Sequence, residues 1–155
     1  MTMLEAGTPA PDFSAPRDGG EIVTLSGLKG GPVVLYFYPK DNTPGCTMEA
    51  LDFTALNAEF KAAGVTVIGI SRDSVAKHEK FCAKHDLGIA LVSDEDGAIC
   101  EAYGTWGEKV MLGRRYMGIH RATFLIGADG VIARVWPKVK VKGHAAEVLE
   151  AARAL

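Results

Sequence analysis

Pro39-Lys40-Asp41-Asn42-Thr43-Pro44-Gly45-Cys46 is where the chain changes character, and the rest can be read outward from it. The run before it, Val33-Val34-Leu35-Tyr36-Phe37-Tyr38, is apolar almost throughout, as in a strand buried on both faces of a sheet. The residues after it, 47 to about 63, carry a helical pattern that Gly64 closes as a left-handed cap. Proline, glycine and asparagine break both periods between them, so the chain turns and sets Cys46 at the start of a helix. A helix start has unpaired N–H groups and partial positive charge, which favour the thiolate, the nucleophilic form. Pro44 and Gly45 let the chain pass closely beside the sulfur, and Thr43 can offer a hydroxyl to whatever the sulfur attacks. Lone cysteines are commonly inert core residues; the loop around this one favours a reactive thiol.

Outward from that point the chain alternates. Residues 1–32 are a loop-rich arm held extended by Pro9, Pro11 and Pro16, with Asp18-Gly19-Gly20 as a turn and Glu21-Ile22-Val23-Thr24-Leu25 as a short strand. The helix after Cys46 carries Leu51, Thr54, Ala55 and Leu56, with Phe53 and Phe60 near them. Val65-Thr66-Val67-Ile68-Gly69-Ile70 is a second buried strand. Asp73 or Ser74 caps a helix that runs to about residue 85. Ala90-Leu91-Val92 is a short strand, and residues 98–103 are helical. Residues 104–120 are glycine-rich without a period and are expected to be loop. Thr123-Phe124-Leu125-Ile126 and Val131-Ile132-Ala133-Arg134-Val135-Trp136 form a hairpin, and residues 145–155 a closing helix. Lys138, Lys140 and Lys142 alternate with Val139 and Val141, as on a solvated strand face. This order describes an α/β fold, a mixed central sheet flanked by helices, in one domain over residues 1–155.

With 155 residues, 48% hydrophobic, the chain can bury an ordinary single core. A formal net charge of −2 gives no reason to expect nucleic acid or an anionic membrane as partner. No apolar run approaches the roughly 20 residues of a membrane span, and the N-terminus lacks a secretory pattern. The expected location is cytoplasmic. Three widely spaced cysteines do not suggest a structural disulfide framework, and with four scattered histidines they match no zinc spacing. His78, His85, His120 and His144 have no partner that the sequence identifies.

Pro39-x-x-x-Thr43-x-x-Cys46 resembles the peroxiredoxin active-site motif. The run from Tyr36 to Ala50, YFYPKDNTPGCTMEA, is similar to the bacterioferritin-comigratory, or peroxiredoxin Q, branch of that family. Gly7-Thr8-Pro9-Ala10-Pro11-Asp12-Phe13, Tyr103-Gly104-Thr105-Trp106-Gly107-Glu108-Lys109 and Tyr116-Met117-Gly118-Ile119-His120-Arg121-Ala122-Thr123-Phe124-Leu125-Ile126 resemble further blocks in the family's order. The resemblance implies a thioredoxin-like fold and a thiol peroxidase acting on hydrogen peroxide and organic hydroperoxides, with no metal, haem or flavin. Cys46 would be the peroxidatic cysteine. Thr43 and Arg121 would position the peroxide and stabilise developing charge, and Pro39 would shield the sulfur from water. Glu49 has two readings: a carboxylate favoured at a helix start, or the group that orients Arg121. Its place, three after Cys46, also excludes the Cys-x-x-Cys of a dithiol oxidoreductase.

The chain departs from the family at Leu51, where many relatives carry a resolving cysteine. A second group places that cysteine in a later helix, which implies Cys82 as the resolving partner of Cys46 and thioredoxin as the reductant of their disulfide. Cys100 reads as structural. A disulfide needs Cα atoms within about 7 Å, so two helices would have to move. The helix of Cys82 looks easy to loosen, since Lys77 and His78 are unfavourable in its first turns and it has no capping box. The alternatives are a one-cysteine peroxidase resolved by glutaredoxin or glutathione, and a redox sensor or chaperone with little turnover. Family likeness favours a monomer.

Overall fold

The computed structural model describes residues 2–28 and 30–155. In chain order these form β1 (Ser14–Pro16), β2 (Ile22–Thr24), a 3-10 turn, β3 (Val33–Phe37), α1 (Pro44–Ala62), β4 (Thr66–Ser71), α2 (Val75–His85) and β5 (Ala90–Ser93). There follow α3 (Ala98–Tyr103), β6 (Trp106–Met111), β7 (Arg114–Ile119), β8 (Ala122–Ile126), β9 (Ile132–Trp136) and α4 (His144–Arg153). The main sheet has the order β5-β4-β3-β8-β9. β3, β4 and β5 run parallel, joined by α1 and α2, while β8 and β9 run antiparallel to their neighbours. This is the thioredoxin-like, mixed α/β arrangement expected from the order of elements.

Every residue of β3 is buried, which explains its unbroken apolar run. Its alternate side chains feed two cores. Val34, Tyr36 and Tyr38 pack with α1, α4 and Phe81 of α2 on one face of the sheet. Val33, Leu35 and Phe37 pack with α3 and the N-terminal arm on the other. Three parallel strands end on one edge, the usual place for a site in a sheet of this kind. The antiparallel β8 starts on that same edge, with Ala122 opposite Phe37. Arg121, just before it, is thereby brought beside the start of α1.

α1 begins with Pro44, whose fixed φ suits a first helical residue. It ends where expected. Gly64 has φ +76°, and the Val65 N–H reaches back to the Phe60 carbonyl at 2.9 Å. Cys46, Glu49, Ala50, Phe53 and Phe60 face inward, whereas Leu51 is 42% exposed and Ala55 is exposed. The helix thus buries a carboxylate and leaves a leucine exposed.

Two expectations are corrected. Residues 104–120 are not loop: β6 and β7 pair as a hairpin, closed by Leu112 at φ 52° and Gly113 at φ 78°. Most of both strands stands away from the core, so no buried face imposes an alternating pattern. Lys138, Lys140 and Lys142 are exposed on an irregular connection between β9 and α4, whose Val139 N–H donates to the Arg121 carbonyl at 3.0 Å. Among the described residues no helix is long and apolar enough to cross a membrane.

Candidate active site

Cys46 is the third residue of α1 and is 1% exposed. The Thr43 side chain does not cap the helix, because its hydroxyl donates to the Lys40 carbonyl at 2.8 Å and braces the loop instead. Arg121 Nη2 donates to Cys46 Sγ at 3.3 Å, and Arg121 Nη1 donates to Glu49 Oε1 at 2.7 Å. One guanidinium thus bridges a sulfur and a carboxylate that stand one helical turn apart. Burial works against its charge, but Glu49 and Cys46 outweigh that and hold Arg121 more firmly protonated than usual. Gly45 makes room for it: a Cβ there would lie 3.2 Å from Nη2.

Glu49 is 1% exposed and its Oε2 has no hydrogen-bond partner. Burial pushes its carboxyl up to about 7 although Arg121 opposes the shift. Beneath the pair lies Tyr36, fully buried with an unpartnered hydroxyl and stacked on Phe53. Burial, then Glu49 and Cys46, keep its phenol protonated, and Cys82 also contributes. Both thiols therefore bear on one tyrosine. Pro39 is half-buried and borders a groove of about 440 Å³ with Trp106, Lys109, Tyr116 and Met117. A groove of about 500 Å³ between β1 and α3 includes none of the expected site residues.

Cys82 lies on α2, half-buried against the cluster that holds Cys46. Burial, then the charges of Asp18 and Asp41, push its thiol up to about 12. Cys100 belongs to the cluster on the opposite face of the sheet. Burial and the Asp94 carboxylate raise its thiol further. All three cysteines are free thiols.

Three polar side chains elsewhere had no clear signal in the sequence. Lys109, on β6, donates to the Ile119 carbonyl at 2.9 Å, and burial followed by the charge of Arg121 lowers its pKa. His144 is buried with its Nε2 2.7 Å from Thr123 Oγ1, and burial lowers its pKa to about 4. His78 is fully buried, with Nδ1 2.6 Å from Asp41 Oδ2 and Nε2 3.1 Å from the Val92 carbonyl. Asp41, Asp73 and His78 could by spacing hold a cation. Their polar atoms are instead taken up by one another and by Tyr38, Ser71 and the Asp41 N–H.

A helix-start cysteine bonded by an arginine that also pairs with a buried glutamate is an arrangement suited to thiol chemistry on a polarisable oxygen. Residues 6–135 match the AhpC/TSA family. This chain belongs to that family of peroxiredoxins. It is 52% identical to a putative peroxiredoxin Bcp of Coxiella burnetii, over 94% of this chain and 97% of that one. It is 48% identical to peroxiredoxin Bcp of Bacillus subtilis, over 95% and 94%. A solved Xanthomonas campestris peroxiredoxin Q superposes with TM-score 0.89 at 45% identity, covering 99% of this chain and 96% of that one. Mycobacterium tuberculosis BcpB gives 0.87 at 35%, covering 99% of both chains. As a peroxiredoxin of this branch the protein is a thiol peroxidase, whose chemistry takes a peroxide and a thiol reductant.

Proposed function

We propose that this peroxiredoxin reduces hydrogen peroxide and organic hydroperoxides at Cys46 and resolves through an intramolecular disulfide with Cys82. The observation that carries the reading is the Arg121 guanidinium held between Glu49 and the Cys46 sulfur. The Cys46 thiolate attacks the nearer peroxide oxygen. An S–O bond forms, the O–O bond breaks, and sulfur gives up two electrons to become the sulfenic acid. The leaving oxygen takes a proton and departs as water or alcohol. Arg121 stabilises the charge that builds on the oxygens, Thr43 joins it when its hydroxyl turns from the Lys40 carbonyl to the peroxide, Glu49 orients Arg121, and Pro39 limits water at the sulfur. A Xanthomonas campestris bacterioferritin comigratory protein, 44% identical, is described for its alkyl peroxide reduction activity. The same substrate class is proposed here.

Cys82 then attacks the sulfenic sulfur; an S–S bond forms and water leaves. Its place on the Cys46 face of the sheet supports this choice over Cys100 on the other face. Burial, then the charges of Asp18 and Asp41, disfavour its thiolate in the packed state, which keeps it from attacking before α2 shifts. A dithiol protein of the thioredoxin type returns two electrons. The working form is read as a cytoplasmic monomer. Mass mapping after one equivalent of peroxide tests the pairing, with a Cys46–Cys82 bond expected. Cys82→Ser should react normally once, then over-oxidise and stall. A disulfide through Cys100, or rapid turnover with glutaredoxin and no internal bond, would replace the two-cysteine reading.

A further inference from the structure

His78 stands four residues before Cys82 on the inward face of α2 and is the most buried residue of that face. Its ring meets an acceptor at each nitrogen, the Asp41 carboxylate at 2.6 Å and the Val92 carbonyl at 3.1 Å. Asp41 lies five residues before Cys46, in the loop that shapes the start of α1. Its other oxygen accepts the Tyr38 hydroxyl at 2.6 Å, and its backbone N–H donates to Asp73 Oδ2 at 2.8 Å. Asp73 itself precedes α2 and is tied to Ser71 at the end of β4. The loop before the peroxidatic cysteine and the helix of Cys82 are therefore joined at two points, both buried.

We infer that the Asp41–His78 pair is a latch that couples the Cys46 loop to α2, and that releasing it sets the rate at which Cys82 reaches the oxidised sulfur. The inference rests on the reading of Cys82 as the resolving residue. For Cys82 to leave its packing, the helix turn that carries His78 must shift, and two buried hydrogen bonds oppose this. The same shift takes away one of the three buried hydrogen bonds that hold Asp41, leaving those to Tyr38 and Asp73, and so loosens the loop. His78 and Asp41 act through the backbone they hold; neither touches the Arg121–Glu49 pair in the hydrogen bonds described above. They are positioning residues for resolution, and the peroxide step does not draw on His78.

Reduced full-length His78→Asn and wild type are compared by hydrogen exchange and by rapid-mixing kinetics after one equivalent of hydrogen peroxide. Exchange should accelerate roughly tenfold or more in 75–86 and in 39–43 together, the loss expected for a charge-assisted buried contact. Formation of the Cys46–Cys82 disulfide should accelerate several-fold, and over-oxidation at excess peroxide should fall. The second-order rate with peroxide should stay within about twofold, which general destabilisation of the site would not allow. Tyr38→Phe removes the hydrogen bond to Asp41 and the longer 3.5 Å contact with His78 Nδ1 but keeps the Asp41–His78 pair, and it should act in the same direction more weakly; it carries the test if His78→Asn does not fold. Unchanged exchange, a rise confined to α2 with the loop unaffected, or a slower disulfide step overturns the latch. If wild type forms no Cys46–Cys82 bond, the resolving assignment fails, while the exchange result still decides whether loop and helix are coupled.

Discussion

Cys46 and Cys100 are each the third residue of a helix and each is buried, at 1% and 0% exposure. Their surroundings differ in the sign of the charge that meets them. At α3 the Asp94 carboxylate accepts from the N–H groups of Ile99 and Cys100 at 3.0 and 2.8 Å. It occupies the positive end of the helix, and its charge combines with burial to hold the Cys100 thiol protonated. At α1 no side chain caps the start, and the charged group on the sulfur is the Arg121 guanidinium. A helix N-terminus alone therefore does not make a reactive cysteine; what else occupies that end decides the chemistry.

The largest effect expected from this contrast is at Cys46 itself. Cys46→Ser should abolish peroxide consumption with any reductant, because a hydroxyl is a poor nucleophile toward an O–O bond. Retention of most turnover would remove the distinction between the two helices. Arg121→Ala should come next, slowing the reaction with the first equivalent of peroxide by at least about tenfold, the loss of one charge-assisted contact. An unchanged second-order rate in stopped-flow would show that the guanidinium does not act on the reacting atoms.

A smaller effect should appear in the pH dependence of stability. The Glu49 carboxyl titrates at about 7 in the folded chain against 4.5 ordinarily, mainly through burial. It binds its proton more tightly when folded, so its contribution is full below pH 4.5 and declines as pH rises towards 7. Thermal melts of wild type should therefore lose stability between pH 5 and pH 7 relative to Glu49→Gln, which has no such proton to lose. Parallel curves would mean that Arg121 keeps Glu49 ionised throughout. The smallest change is expected at Cys100→Ser, whose reaction with peroxide should stay within about twofold of wild type. A larger fall in that rate, in protein of normal thermal stability, would give Cys100 a part in the chemistry.

Much of the fold could be read along the chain because each main-sheet strand and each helix carries its own local signal. The β3 run is continuously apolar since both its faces are covered. Gly64 and Ser74 mark helix ends by their own conformation and hydrogen bonds, the Ser74 hydroxyl accepting the Lys77 N–H at 3.2 Å. The β6–β7 hairpin lacked such a signal because little of it is buried. Which face of α1 is buried has no such local mark either. Leu51 is the more apolar residue, yet Glu49 is the one turned inward, where it pairs with Arg121.

Local pattern by itself determined the strand–loop–helix around Cys46, the succession of elements, and, through the order of the family-like blocks, the candidate residues Pro39, Thr43, Cys46, Glu49, Cys82 and Arg121. It could not decide which of these meet. That Arg121 reaches Cys46 depends on β8 running antiparallel to β3, so that residues 75 positions apart share one edge of the sheet. That His78, unfavourable at a helix start on local grounds, has a buried partner depends on a contact 37 residues away. Charge–charge and hydrogen-bond partners are set by distances in space, and distances between remote segments exist only once the sheet has closed.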